Sequence, residues 1–507
     1  MSIPQQSQEP SAEIEHLKRV VGKYFSIYEI RVSPAEVAFF IRAPMDSIDR
    51  NFDELRKELV PQNYVPTLTL ENGEHVIHVL KKPPTRPSNI LWNILLLLAT
   101  IGTTAFAGMT LWGGYVGITD VGALFTSSVV LSGILFFALP LMLILGAHEL
   151  GHYFAARKHG VSATLPYFIP VPPPFLFGTM GAFISIKEPI PDRKALIDIG
   201  FAGPICGFLV AIPVTGIGLY LSTLYPPVIM DGSGLVLGSS LFFQLISSML
   251  PFAPEGLHPT AIAGWVGLFV TAINLLPAGQ LDGGHIVNAL FGGNARYLGY
   301  AAVLGMLVLS FFYPGWLFFA FLVVILGLRH PPPLNTISKL DNKRKIVGVV
   351  AGLILISSFV VVPLREADME FSLKSDEWPL SLDANRSVSF VIQIENHGEI
   401  YARYEISIEY VKLKTNNTTI SDKNYRDNLT VEYSFAHNEQ KSIISNYTAF
   451  TPRLKPGEKV NCTVTLHFSE NYSGQESAKV GFKVVPAGTS FVKEFEVTVT
   501  TGGQKEL

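Results

Sequence analysis

The sequence predicts a polytopic α-helical membrane protein of about seven spans, with a small N-terminal α/β domain and a C-terminal immunoglobulin-like β-sandwich. Three observations carry this. Of the 507 residues, 48% are hydrophobic and only 16% are charged, the balance of a chain that buries much of itself in lipid. Apolar runs recur through residues 90–363, several of them reaching the roughly 20 residues that a helical span needs. Residues 366–501 alternate apolar and polar side chains, the period of a half-buried strand. The expected domains are therefore 1–86, 87–364 and 365–507.

In the first domain, 28–32 and 37–42 read as strands, and Ile48, Phe52, Leu55 and Leu59 fall at helical spacing. Residues 67–70 and 75–80 read as a hairpin around Asn72-Gly73. Nothing there resembles a catalytic site, so a docking or regulatory module is expected, facing the cytoplasm. The first 25 residues are polar and lack the apolar stretch of a cleavable signal peptide. A net charge of −3 without a long basic block argues against nucleic acid as a partner. Cys206 and Cys462 lie in different segments, which excludes a disulfide framework and a cysteine-based metal site.

Lys81, Lys82 and Arg86 precede the first expected span, 90–112, and Arg157-Lys158-His159 end the second. Basic clusters mark the cytoplasmic side, so the first span exits and the second returns. Residues 127–156 have only four ionisable side chains, His148, Glu149, His152 and Tyr153. His148-Glu149-Leu150-Gly151-His152 is an H-E-x-x-H element, whose imidazoles at i and i+4 share a helix face and can converge on one metal ion. Such residues at mid-bilayer cost roughly 2.5–3.5 kcal/mol each on insertion scales, so they are kept there for a function or with partners. Glu149 is placed to serve as general base. Counting nine residues from His148 to Arg157 sets the centre about 14 Å below the cytoplasmic interface.

Residues 160–197 hold seven prolines and do not form a span. Between them, 177–187 reads as a β-like segment, expected as a hairpin dipping toward the metal with one free edge; its alternative is an ordinary cytoplasmic loop. Gly178, Gly181, Ala182, Phe183 and Ile184 are the expected substrate-binding residues on that edge. The third span, 197–221, contains Ala202-Gly203-Pro204-Ile205-Cys206-Gly207, small residues that let helices approach closely. The loop 224–256 carries Asp231 and Glu255 without Lys or Arg, which fits the outer side, and 241–250 fits an interfacial segment.

The fourth span, 260–276, runs into Asn274-Leu-Leu-Pro277-Ala-Gly279-Gln-Leu-Asp282-Gly-Gly-His285. Pro277 and Gly279 break the helix, and Asp282 arrives on the same side as His148 and His152. Two His and a carboxylate leave a fourth position open, the pattern of a catalytic rather than a structural zinc site. His285 competes as a ligand but reads better as a hydrogen-bonding or surface residue. Asn274 either caps a helix or offers its amide to an oxyanion.

These paired motifs, with Phe177-Gly-Thr-Met-Gly181 and Ala202-Gly-Pro204, resemble the site-2 protease family of intramembrane zinc metalloproteases over about residues 90–328. The resemblance implies one Zn²⁺ per chain held by His148, His152 and Asp282, Glu149 as base, and Asn274 positioning or polarising the scissile carbonyl. It implies cleavage of membrane-protein substrates within the lipid bilayer of the cell membrane. No PDZ-like insertion is recognisable, and the oligomeric state has no signature. A metal transporter or sensor, or an inactive membrane-protein-binding scaffold, are the competing readings. Transit needs further His or acidic residues along other spans, and a scaffold needs no Glu149.

Two further spans, 297–312 and 316–328, lead to a basic cytoplasmic loop around Lys343–345, and a seventh, 346–363, exits. Val388, Phe390, Ile392 and Ile394, then Tyr404, Ile406, Ile408 and Tyr410, then Val460, Cys462, Val464, Leu466 and Phe468 form the alternating faces of the expected sandwich. Sequons at Asn385, Asn416, Asn417, Asn428, Asn446, Asn461 and Asn471 crowd this segment and are absent before it, in keeping with an extracytoplasmic glycoprotein domain. Asn461 alternates with Cys462, so a core Cys462 turns Asn461 outward.

Overall fold

The computed structural model describes residues 9–500, apart from 35, 43, 45, 83–88, 119, 228–234, 251–255, 329, 376–379, 383–385, 416–417, 422–428, 437–442, 446, 470–476, 488 and 490. The expectations placed on Arg86, Asp231, Glu255 and all the sequons except Asn461 lie outside the described residues. The chain divides into two compact units, 1–228 with 238–363, and 229–237 with 364–507.

The first unit begins with α1 (Glu9–Gly22), β1 (Ser26–Val32), β2 (Glu36–Arg42), α2 (Ile48–Leu59), β3 (Tyr64–Glu71) and β4 (Glu74–Lys81). The four strands make an antiparallel sheet ordered β1-β2-β4-β3. Leu17 and Val21 of α1 join Phe52, Leu55 and Leu59 of α2 over Phe39 and Ile77 in one core. Helix α1 was not read from the sequence, because its few large apolar residues, Ile14, Leu17, Val20 and Val21, sit in a polar run. The β3–β4 turn uses Asn72 and Gly73 at φ of 49° and 86°, the left-handed pair a two-residue hairpin of type I′ requires.

Among the described residues of this unit, three helices are long and apolar enough to cross a membrane: α3 (Ile90–Tyr115), a 32-residue rod spanning Ser127–Lys158, and α6 (Arg193–Leu224). The rod comprises α4 (Ser127–Gly133), a π-helical turn (Ile134–Ala138) and α5 (Leu139–Lys158). Pro140 has no N–H to offer the carbonyl of Phe136, and Thr260 Oγ1 donates to that carbonyl at 2.7 Å. Between α5 and α6, β5 (Tyr167–Pro170) and β6 (Thr179–Phe183) pair as an antiparallel hairpin. Then come α7 (Leu241–Ser248), α8 (Pro259–Asn274), α9 (Asp282–Phe291), α10 (Ala295–Leu309), α11 (Gly315–Leu326) and α12 (Asn342–Ser358). At the four later positions expected to span, α8, α10, α11 and α12 have 16, 15, 12 and 17 residues, shorter than a full crossing by length alone.

In the second unit β7 (Leu235–Leu237) pairs with β8 (Leu364–Glu366). The strands that follow are β9 (Phe371–Ser375), β10 (Leu380–Ser381), β11 (Ser387–Asn396), β12 (Tyr404–Thr415), β13 (Thr418–Ser421), β14 (Leu429–Ala436), β15 (Ile443–Ser445), β16 (Thr448–Phe450), β17 (Lys459–Phe468), β18 (Ser477–Pro486) and β19 (Lys493–Thr500). They form two sheets, β15-β14-β17-β11-β9 and β10-β19-β18-β12-β13, with β16 added on β12. Both sheets feed one core that includes Phe390, Ile392, Tyr404, Tyr433, Cys462, Val464 and Phe482. Alternation holds along β11 and β17 but breaks in β12. A bulge between Ile408 and Tyr410 turns Val411 into the core, while the Tyr410 hydroxyl reaches Glu496 at the surface. Cys462 is fully buried, and Asn461 faces outward, accepting from Gln393 Nε2 at 3.0 Å.

Candidate metal centre

Helix α5 places His148 and His152 one turn apart on its buried face. Asp282, 134 residues beyond His148, is the first residue of α9. The break expected at Pro277 and Gly279 occupies 275–281, and Asp282 opens the next helix. Its Oδ2 lies 3.1 Å from His148 Nε2 and its Oδ1 3.2 Å from His152 Nε2, while the two Nε2 atoms are 3.1 Å apart. His152 Nδ1 donates to the carbonyl of Ile199 at 2.8 Å, which leaves the Nε2 lone pair directed at the centre. Electron-pair donors packed this closely repel one another unless protons or a cation lie between them. Two imidazoles and a carboxylate within 4.8 Å could hold one metal ion, and the set suits zinc with a position left open.

Room for the imidazoles comes from α6. A Cβ on Gly203 would stand 2.0 Å from His152 Nε2, and one on Gly207 3.1 Å from His148 Cβ. On the other side of the crossing, a Cβ on Gly151 would meet the Ala202 carbonyl at 2.4 Å. The small-residue spacing of Ala202 to Gly207 signals the close approach, but the sequence does not say that the imidazoles fill it. Asp198 of α6 joins the ends of two helices, His159 Nε2 at 3.0 Å and Arg344 Nε at 2.9 Å, a cluster the sequence reading missed.

Glu149 is buried, 4.0 Å from His148 Nε2, and its carboxylate accepts from the backbone N–H of Ile184. The hairpin thus ends at this carboxylate. Asn274, the last residue of α8, brings its amide nitrogen to 3.4 Å from His148 Nε2. His285 turns away: Nδ1 lies 3.1 Å from the Leu281 carbonyl, and its ring packs edge-on against His330 with centroids 4.3 Å apart.

The hairpin is fastened to α3. Asn93 Nδ2 donates to the carbonyls of Leu165 and Pro166 at 2.7 and 3.0 Å, and Thr103 Oγ1 donates to that of Gly178 at 2.6 Å. Gly178 has φ of 71°, and a Cβ there would meet the Thr103 carbonyl at 2.3 Å. Gly181, at φ of 98°, faces open space. Strand β6 pairs with β5 alone among the described strands, so no described strand covers its other edge.

An H-E-x-x-H helix met by a distant carboxylate, among helices apolar enough to cross a membrane, is the arrangement expected of a membrane-embedded metalloprotein. Residues 136–312 match peptidase family M50, the stretch that holds His148, Glu149, His152 and Asp282 and in which the resemblance to site-2 proteases was expected. It is similar to "Probable zinc metalloprotease EGY1, chloroplastic" of Arabidopsis thaliana, 36% identical over 230 residues, 42% of this chain and 40% of that one. The EGY2 protein of the same plant is 31% identical over 239 residues, 45% of this chain and 41% of that one. The chain spans about two fifths of the length of these curated relatives. Among solved structures, a PapD-like domain of human CEP192 covers 27% of the chain at 8% identity and a TM-score of 0.19, too slight a likeness to carry an argument.

Proposed function

We propose that the chain is an intramembrane zinc endopeptidase that cuts transmembrane or membrane-adjacent segments of other membrane proteins. The observation that carries this is the convergence of His148, His152 and Asp282 beside a buried Glu149 that is tied to a strand edge. In this reading those three residues hold one zinc ion. Bound there, zinc would polarise the scissile carbonyl and lower the pKa of water. Glu149 takes the proton from the attacking water and delivers it to the leaving amine, with its carboxylate oriented by the Ile184 N–H. Asn274 presents its amide to the carbonyl oxygen as charge develops. The substrate unwinds and adds as a strand along the segment that holds Gly178, Gly181, Ala182, Phe183 and Ile184, on the side of β6 that pairs with no described strand.

The same reading takes residues 1–86 as a cytoplasmic domain, 87–364 as the membrane core and 365–507 as an immunoglobulin-like extracytoplasmic sandwich open to glycosylation. The seven spans are α3, α4–α5, α6, α8, α10, α11 and α12, in a multi-pass protein of the cell membrane. Arg157 and Lys158 at the end of α5, and Lys343, Arg344 and Lys345 at the start of α12, support that orientation.

The test compares single-pass membrane proteins in cells carrying wild type or Glu149→Gln. Wild type should shorten a subset that accumulates uncut with the variant, while both chains keep zinc. Near-normal cleavage by a zinc-loaded Gln variant would remove Glu149 from the mechanism. Altered metal flux without any cleavage product from wild type would favour a transporter.

A further inference from the structure

We propose that Arg193 is a positioning residue for Asp282, and that the N-terminal α/β fold holds Arg193 in place. The inference rests on the zinc-centre reading above. Helix α9 has ten residues, about 15 Å of rod, with Asp282 at its start. Its other end leaves last-turn carbonyls without intrahelical donors. Arg193 supplies them: Nε donates to Ala289 O at 2.8 Å and Nη2 to Leu290 O at 3.0 Å. A planar guanidinium donating to two adjacent carbonyls fixes both the position and the rotation of the helix end, and its charge faces the negative pole of the helix dipole. Sliding or rolling α9 to move Asp282 would break both bonds.

Arg193 is also the first residue of α6, which six residues on offers the Ile199 carbonyl to His152. One helix end therefore sets the position of both a carboxylate and an imidazole of the proposed ligand set.

That end is gripped in turn. Asp192 caps α6, Oδ1 accepting from Ala195 N at 2.7 Å, and Ser338 Oγ accepts the N–H of Arg193 at 3.1 Å. Ser338 follows a segment whose Asn335 forms bridges to both Leu68 and Asp192. Leu334 N donates to Ile190 O and Asn335 N to Pro191 O, each at 2.9 Å. On its other side Leu68 N donates to Leu334 O at 2.7 Å, and Thr336 N to Leu68 O at 3.1 Å. Leu68 lies on β3, an edge strand, so 334–336 is inserted between the N-terminal sheet and the approach to α6. Leu334 is 3% exposed within the core shared by α1, α2 and the sheet, and Asn335 Nδ2 donates to Asp49 of α2 at 2.8 Å. The path from β3 through 334–338 and Arg193 to α9 is continuous. A force on the N-terminal fold reaches Asp282 along it.

The test uses the full-length chain in detergent with zinc alone as probe, its affinity measured by competition with a chromogenic chelator. Arg193→Gln removes the fork and the charge, and zinc affinity should fall more than twofold, with the roughly 10–100-fold cost of losing a group bonded directly to a ligand as the upper bound. Arg193→Lys keeps the charge without the fork and should fall between Gln and wild type. Leu334→Ala, which loosens the N-terminal grip, should weaken zinc in the same direction. If Arg193→Gln does not fold, the Lys and Leu334 variants decide. Zinc affinity within twofold of wild type in the folded variants, with only the zinc-free melting temperature lowered, would make Arg193 merely structural and overturn the proposal. A wild-type chain that takes up no zinc would sink the metal-centre reading instead. The Arg193 bonds would then still be read by hydrogen exchange at 283–291.

Discussion

Gly203 of α6 lies against the ring of His152 so closely that a single methyl group in its place would stand 2.0 Å from Nε2. Backbone separation at this crossing therefore fixes the imidazole. Gly203→Ala must push either the helix or the ring, and zinc content should drop from about one per chain toward zero. Gly207→Ala, at 3.1 Å from His148 Cβ, should lose less. Gly146→Ala, on α5 beside the imidazoles but with open space at its Cβ, should keep full occupancy and serves as the control. Equal zinc content in the Gly203 and Gly146 variants would separate this crossing from the metal.

Removing the metal should be reversible. Dialysis against a strong chelator should abolish cleavage, and zinc should restore it. His148→Ala or Asp282→Ala should lower occupancy strongly, since each removes one of the three proposed ligands. Normal zinc content in Asp282→Ala would take that residue out of the set.

The hairpin should matter to turnover and not to zinc. Gly178→Ala meets the Thr103 carbonyl at 2.3 Å and strains a left-handed residue, so it should displace the hairpin from α3. Gly181→Pro removes a donor from the strand. Both should cut turnover at least tenfold with zinc retained. Unchanged rates in both would return the segment to an ordinary loop.

Orientation can be read from thiol labelling of intact cells in a Cys206→Ser background. Cysteine at Lys374 should react with an impermeant reagent, and cysteine at Lys343 should not; the reverse pattern would invert the topology. Cys462 should stay silent. It is fully buried, and burial pushes its thiol up to about 12. Because the folded thiol holds its proton more tightly than the unfolded one, the sandwich should lose stability as pH rises from the ordinary thiol range toward 12. At neutral pH no such effect is expected.

Much of the site was legible because each part leaves a local signature. His148 and His152 share a helix face by spacing alone, and Asp282 stands out as a carboxylate after a proline-broken apolar run. Contacts that join distant segments through backbone atoms were not legible. Neither Ile199 as the acceptor for His152 nor Ala289 and Leu290 as acceptors for Arg193 can be seen in residue types, since any residue has a carbonyl. The β12 bulge escaped for a related reason. Strict alternation assigns Tyr410 to the core, and only the pairing opposite Gly481 shows the slip. Helix α1 was hidden by polarity.

The hydrogen bond from Ile184 to Glu149 turns the hairpin into a ruler. Thr179 to Phe183 covers about 17 Å at strand spacing, and the bond within reach of Glu149 lies at the end of that length. Under the proposed mode of binding, a target must surrender five or six residues of helix before any bond reaches the base. Choice of cleavage position would then follow how readily a segment melts and how far the melted stretch extends. Unrelated sequences with Gly, Pro or Asn at a common distance from the cut would be taken alike. A uniformly leucine-rich helix would be spared, whatever residues flank the bond.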